Sequence, residues 1–282
     1  MRTDAVQQQY RDSKAHVRGT FEDNPQDALE YYRRYASFVM AHLTRSPSRI
    51  LDIGCGNGWS TSLMREEGHE AFGADLHAKA PESWQQMKKK FPYISADGQQ
   101  LPFADDAFDA VATYQVLEHV PDPELMLREC LRVLRPTGRL IVVGPHLLSS
   151  GLALKFVAQE TWKALRRGGR WERRTPDTPT HPFGNTLSET YRHLRHHTYH
   201  SARKFLGERP VKFMLREPDT RPPFHADNDA CYFCNPMDLI CWAKQTPGVR
   251  AVRWWASDRR GARLSWPFAG GTWVVLEKLA AQ

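Results

Sequence analysis

Arg49-Ile50-Leu51-Asp52-Ile53-Gly54-Cys55-Gly56-Asn57-Gly58 decides the fold of this chain. The apolar run from Ile50 to Ile53, interrupted only by Asp52, reads as a buried strand. It runs straight into a Gly-x-Gly-x-Gly turn with an acid two residues ahead of the first glycine. Glycine has no Cβ and tolerates positive φ, so such a turn offers bare backbone to a ligand. A helical pattern follows at once, from Trp59 to Glu67. Strand, tight turn and helix in that order open a nucleotide-type α/β unit. The dinucleotide fingerprint is Gly-x-Gly-x-x-Gly, and here Trp59 takes its last place.

The residues that follow repeat the same grammar. Glu70 to Asp75 reads as a second short strand closed by an acid. A carboxylate there can accept both hydroxyls of a ribose lying across the strand ends, which suits NAD and S-adenosylmethionine (SAM) alike. Tyr93 to Gly98 is a third strand with Asp97 near its end, and Leu101 to Asp109 is a turn. Ala110 to Tyr114 is an apolar, β-prone fourth strand. Glu118-His119-Val120-Pro121-Asp122 follows it, with Asp122 as the N-cap of a helix running to Leu134. Pro136-Thr137-Gly138 breaks that helix before a fifth strand, Arg139 to Val143.

Five stretches in this order resemble the Rossmann-like (class I) SAM-dependent methyltransferases, most closely the type-11 group that includes the quinone methyltransferases. They are LDIGCGNG (51–58), the acid of GAD (73–75), ADGQQLPFADDAFDAV (96–111), VLEHVPDPE (116–124) and LRVLRPTGRLIVV (131–143). The resemblance covers residues 30–145 well, the last forty residues loosely, and 146–230 hardly at all. It implies a seven-stranded, mostly parallel sheet with helices on both faces and a helical cap inserted after the fifth strand. It implies SAM as the cofactor, with Asp52, Gly54, Gly56 and Gly58 around its methionine part. Asp75 and Leu76 would hold the ribose, Asp97 and Gly98 the adenine edge, and the backbone at Tyr114 and Gln115 the amino group. His119 matches a histidine that often follows the fourth strand in this group. His119 and His146 both follow strand ends on the expected active face, so either is a candidate general base.

The chain has 282 residues, room for a large core. Its reading divides it into an N-terminal helical segment (1–48), a SAM-binding core (49–145), a cap (146–228) and the rest of the core (229–282). In the N-terminal segment the helical pattern runs from Asp27 to Leu43, and Tyr31, Tyr32 and Tyr35 face either the cofactor opening or plain packing. Helical patterns at Leu147–Leu165 and Leu187–Leu206 flank a basic loop (166–174) and a proline-rich connector (175–182). A long insertion inside a compact domain usually carries function, and this one begins where the methyl group would lie. After it, Asn235 caps a helix with Pro236 at its first position. Val249 to Trp255 and Thr272 to Leu279 then read as an antiparallel pair of strands at the sheet edge.

The net charge of +7 favours an anionic substrate or surface. A cytoplasmic protein is expected, since Met1 to Gln7 has no apolar signal core, with peripheral membrane contact through 147–174 as an option. Five scattered cysteines suit a reducing compartment. No metal is expected: Cys231 and Cys234 lack a second pair, and the histidines at 193, 196, 197 and 200 read as a basic helix face. The run Arg216 to Pro236 resembles one in methyltransferases of cell-envelope and glycan pathways, which points to a sugar- or lipid-linked acceptor. His225, Asp227, Asn228 and Asp229 would then bind its hydroxyls. The glycine spacing and the Glu118-His119-Val120 block weigh against a nicotinamide-dependent oxidoreductase. Nucleic acid is disfavoured as substrate, because Arg221-Pro222-Pro223-Phe224 departs at its first position from a base-methylating motif. Methyl transfer to carbon or nitrogen stays open beside transfer to oxygen.

Overall fold

A computed structural model describes residues 25–76, 92–147, 209–218, 229–255 and 271–280, with single positions and short pieces between 155 and 207. In chain order the elements are α1 (Pro25–Met40), β1 (Arg49–Ile53), α2 (Trp59–Glu66), β2 (Glu70–Asp75), β3 (Tyr93–Ser95) and β4 (Phe108–Tyr114). A single 3₁₀ turn (Leu117–His119) leads to α3 (Pro123–Val133) and β5 (Leu134–Pro145). After the insertion come α4 (Pro236–Gln245), β6 (Val249–Trp255) and β7 (Gly271–Lys278).

The seven strands form one sheet in the order β3-β2-β1-β4-β5-β7-β6. β1 to β5 are parallel; β7 runs antiparallel between β5 and β6. Strand neighbours alternate between the two faces of the sheet, as pleating requires. Leu51, Val111, Leu140 and Val274 enter one apolar layer with Met126 and Leu127 of α3 and Trp242 of α4. Ile50, Ala110, Ile141 and Val275 enter the other, with Tyr35 of α1 and Met64 of α2. Both faces are covered, which is why the central strands read as nearly unbroken apolar runs.

The helix starts follow their caps. Asp122 accepts from the Leu125 N–H at 2.9 Å and Pro123 opens α3. Asn235 accepts from the Asp238 N–H at 3.0 Å and Pro236 opens α4. Several boundaries differ from the sequence reading, and β4 begins at Phe108, inside the expected turn. The N-terminal helix lies two to three residues earlier at each end, and β3 stops at Ser95. Pro136-Thr137-Gly138 is no loop between helix and strand; it is a bulge inside β5. Phe108 pairs with Leu134, the register then shifts, and Ala110 pairs with Arg139. Thr137 turns to φ +67° there. A side chain at Gly138 would lie 2.8 Å from the Arg135 carbonyl oxygen and 2.9 Å from that of Asp109. An extra turn of chain fits a strand pair only as such a bulge.

The strand order reverses between β1 and β4, and in open sheets of this kind ligands bind at the carboxyl ends beside that reversal. The glycine turn and the Leu117–His119 turn both lie there. Of the insertion, the basic loop beyond Arg166, the proline-rich connector, His225, Asp227, Asn228 and three of the four clustered histidines lie outside the described residues.

Candidate active site

The glycine turn is left-handed at all three glycines, with φ of +69°, +48° and +73° at Gly54, Gly56 and Gly58. The reasons differ. Gly54 and Cys55 both donate backbone N–H groups to the Ala74 carbonyl, at 2.7 and 3.2 Å, so the turn is stitched to the end of β2. A methyl group on Gly54 would fall 2.1 Å from Cγ2 of Val116. Gly54 is therefore required by the protein's own packing. Among the described residues nothing lies within 4 Å of where a Cβ on Gly56 would stand. Its backbone faces open space, and its N–H donates to Oδ2 of Asp75 at 2.8 Å. The acid closing β2 thus fixes the crest of the turn.

Asp52 lies beneath this turn, 1% exposed. Its Oδ1 accepts from the Tyr35 hydroxyl at 3.0 Å, and its Oδ2 accepts from Ser60 and Thr61 at 2.6 and 2.7 Å. Burial pushes its carboxyl up to about 6, partly offset by those three donors. The residue expected beside the ligand is thus wired into α1 and α2, and supports the turn from behind.

Tyr114, at the end of β4, stacks on Tyr35 with ring centroids 4.7 Å apart. Tyr31 and Tyr32 approach it at 5.3 and 6.0 Å. Four phenols from α1 and β4 therefore wall one side of the glycine turn. Burial pushes the Tyr32 hydroxyl up to about 12, with smaller contributions from Tyr31, Asp52, Cys55 and Asp75. Gln115 takes φ +56° and donates its N–H to the Val143 carbonyl at 2.9 Å, which turns the chain away from β4. Leu76 follows Asp75 out of β2 and is half-buried.

On the far side of the crevice Asp97 opens a tight turn. Its Oδ1 accepts from the Gln99 N–H at 2.9 Å, and the Gln99 side-chain oxygen accepts from the Asp122 N–H at 3.0 Å. A side chain on Gly98 would press on Ile53 and Met126 at 3.3 Å, so this turn lies close against the core. Arg132 of α3 holds the next stretch. Its guanidinium donates to the carbonyls of Leu101 and Phe103 and to Asp105, each at 2.8 Å.

Across the carboxyl ends of β4 and β5 stand Glu118, His119 and Asp229. His119 Nδ1 is 3.6 Å from Asp229 Oδ1, and its Nε2 is 3.7 Å from Glu118 Oε1. Glu118 is fully buried, Asp229 nearly so, and His119 keeps 18% of its side-chain surface. The Glu118 carbonyl accepts the N–H groups of Cys231 and Tyr232, at 2.7 and 3.0 Å, which draws the post-insertion chain over the turn. His146 is wholly buried, and Leu147 beside it donates to the Cys234 carbonyl at 2.8 Å. The structure thus brings His119 and Asp229 together, whereas His146 faces the interior.

One cluster had no sequence signal. Lys204, in a helical piece of the insertion, is buried against Asp238 of α4. Asp238 also accepts from the Tyr232 hydroxyl at 2.6 Å and from the Asn235 amide at 2.8 Å. Burial pushes the Asp238 carboxyl up to about 6, against the lowering influence of Lys204 and the other donors. Beside Arg203 and below the histidines, Lys204 reads in sequence as one more solvated cation. Cys231 and Cys234 are buried free thiols, and no group of three metal-type ligands assembles among the described residues.

A glycine turn and an acid-closed β2 at the switch point of a seven-stranded sheet with β7 reversed make up the Rossmann-like methyltransferase fold. Residues 51–142 match the model of a methyltransferase domain family. Demethylmenaquinone methyltransferase of Mycolicibacterium paratuberculosis is 33% identical over 129 residues, which cover 46% of this chain and 55% of that one. Ubiquinone biosynthesis O-methyltransferase of Xanthomonas oryzae pv. oryzae is 31% identical over 147 residues, 49% of this chain and 60% of that one. The chain thus spans little more than half the length of these relatives. Among solved structures, a SAM-dependent methyltransferase from Mesorhizobium loti superposes with a TM-score of 0.51 at 14% identity, covering 89% of this chain and all of that one. The 1,6-didemethyltoxoflavin-N1-methyltransferase of Burkholderia thailandensis, solved with S-adenosylhomocysteine bound, gives 0.50 at 16% identity, covering 99% and 87%. At these identities the likeness shows the fold.

Proposed function

We propose that the protein is a SAM-dependent methyltransferase that acts on an oxygen of a small-molecule acceptor, sugar- or lipid-linked. The observation that carries this reading is the open space over Gly56, whose N–H is held by Asp75 at 2.8 Å. A cradle of bare backbone beside a strand-end carboxylate fits an amino-acid tail and a ribose diol. In this reading Gly54, Gly56, Gly58 and the backbone at Tyr114 and Gln115 surround the methionine part, with Asp52 bracing them from below. Asp75 and Leu76 meet the ribose; Asp97 and Gly98 meet the adenine. The cofactor, when bound, supplies an electrophilic methyl group on a cationic sulfur.

The chain's own contribution is position. Holding the acceptor atom in line with that methyl can supply several kcal/mol of barrier lowering, by analogy with the roughly 7–11 kcal/mol reached in well-oriented intramolecular reactions. His119 takes the acceptor's hydroxyl proton, and Asp229 fixes the ring from its Nδ1 side. Residues 146–228 form the acceptor-side cap in this reading, and the names of the relatives make quinone-type compounds the first acceptors to screen.

Calorimetric titration tests the cofactor assignment. S-adenosylhomocysteine is expected to bind and NADH to give no heat; the reverse result refutes the reading. His119→Ala should lower turnover by about 10²–10⁴-fold at unchanged S-adenosylhomocysteine affinity. Asp229→Asn should shift the pH profile of turnover. A His119→Ala variant with full turnover removes the base assignment.

A further inference from the structure

The insertion carries the chain's whole positive balance. Between residues 147 and 218 there are fourteen Lys and Arg against six Asp and Glu, an excess of eight against a chain total of +7. Among the described residues from 155 to 212 the charged side chains are cationic, while Glu160, Glu172, Asp177, Glu189 and Glu208 of the same span lie outside them. Lys155, Arg166, Arg192, Arg195, Arg203 and Arg209 are all exposed. Interleaved with them are the large apolar side chains of Trp162, Leu165, Tyr191, Tyr199 and Leu206, exposed by 57% (Trp162) to 83% (Leu206). Arg166 lies 4.9 Å over the Trp162 ring and Arg203 lies 5.8 Å over that of Tyr199. One residue beyond Arg203, Lys204 points the other way and is buried against Asp238 of α4.

We propose that the exposed cationic and apolar side chains of the insertion dock on an anionic lipid bilayer. Tryptophan, tyrosine and leucine gain free energy at the headgroup–acyl boundary, while arginine and lysine meet the lipid phosphates and keep their stems in the apolar layer. No helix among the described residues is long and apolar enough to cross a membrane, so the contact lies on the surface. Two other occupants fit less well. Leu165 and Leu206 offer nothing to phosphates or stacked bases of a nucleic acid. A second copy would bring one cationic face against another. The inference goes beyond the methyltransferase reading and does not depend on it, because the contact is measured without cofactor or acceptor.

The test is co-sedimentation of the whole chain with phosphatidylcholine vesicles, with and without phosphatidylglycerol, over a range of salt. Binding is expected only with phosphatidylglycerol and should weaken as salt rises. Arg166→Glu/Arg192→Glu/Arg195→Glu should lower partitioning by about a hundredfold or more. Trp162→Ala/Leu165→Ala/Leu206→Ala should lower it by at least about tenfold at unchanged charge. The two triple variants alter different side chains, so either informs if the other fails to fold; unchanged melting and circular dichroism certify each. Equal sedimentation with both vesicle types, or an apolar variant that binds like the parent, overturns the proposal. So does RNA binding that competes with vesicles and ignores the apolar changes, or lipid-free self-association that the apolar variant abolishes.

Discussion

Replacing Gly54 and Gly56 by alanine, one at a time, separates two reasons for a glycine in one turn. Both residues sit at positive φ, so each alanine carries a backbone cost of about 1–2 kcal/mol. Only at Gly54 does a methyl group collide, 2.1 Å from Cγ2 of Val116. Overpacking of that kind adds about 1–3 kcal/mol. Gly54→Ala should therefore cost about 2–5 kcal/mol of folding stability, and Gly56→Ala only about 1–2. Val116→Ala removes both colliding γ carbons and leaves Cβ at 3.2 Å, so added to Gly54→Ala it should recover most of the overpacking cost. Cofactor binding should sort the variants the other way. A methyl on Gly56 projects into the open space assigned to the cofactor, so that variant should lose less stability than Gly54→Ala but lower S-adenosylhomocysteine affinity by tenfold or more. Urea denaturation and calorimetry on the three variants provide the data. The reasoning is refuted if Gly54→Ala is as stable as Gly56→Ala, or if Gly56→Ala binds the cofactor as the parent does.

Asp75→Ala removes the acceptor of the Gly56 N–H, and cofactor affinity should fall by about 1.5–3 kcal/mol in calorimetry. Lys204→Met strands the Asp238 carboxylate in the core and should cost about 3–5 kcal/mol, much of it restored by adding Asp238→Asn, as read from denaturation midpoints. Asp52 gives a pH signature. Its folded value of about 6 lies above the unfolded 3.8, so between these pH values the folded state holds a proton that the unfolded state has released. Stability relative to Asp52→Asn should therefore rise by up to about 3 kcal/mol as pH falls through that window, and reach its low plateau above pH 6. Parallel stability curves for parent and variant would contradict this.

The order of strands and helices, the glycine turn, the caps at Asp122 and Asn235 and the acid that closes β2 were legible from residue order. Each is a short-range effect: allowed φ, a side-chain oxygen within three residues of an N–H, or an apolar period of two or 3.6. The same reading placed Asp75 at the end of β2, because an acid after a short apolar run marks a strand end. It could not show the partners of Asp52, since Tyr35, Ser60 and Thr61 are set by how α1 and α2 pack on the sheet. Nor could it separate His119 from His146. Both follow strands, and the return of Asp229 across more than a hundred residues of chain brings a carboxylate within 3.6 Å of the His119 ring. The bulge in β5 and the Lys204–Asp238 pair belong to the same class. Contacts between distant segments depend on which surfaces the closed loops bring together, and no local periodicity records them. Tertiary packing alone decided which acids brace the turn, which histidine keeps an exposed edge and which lysine is buried.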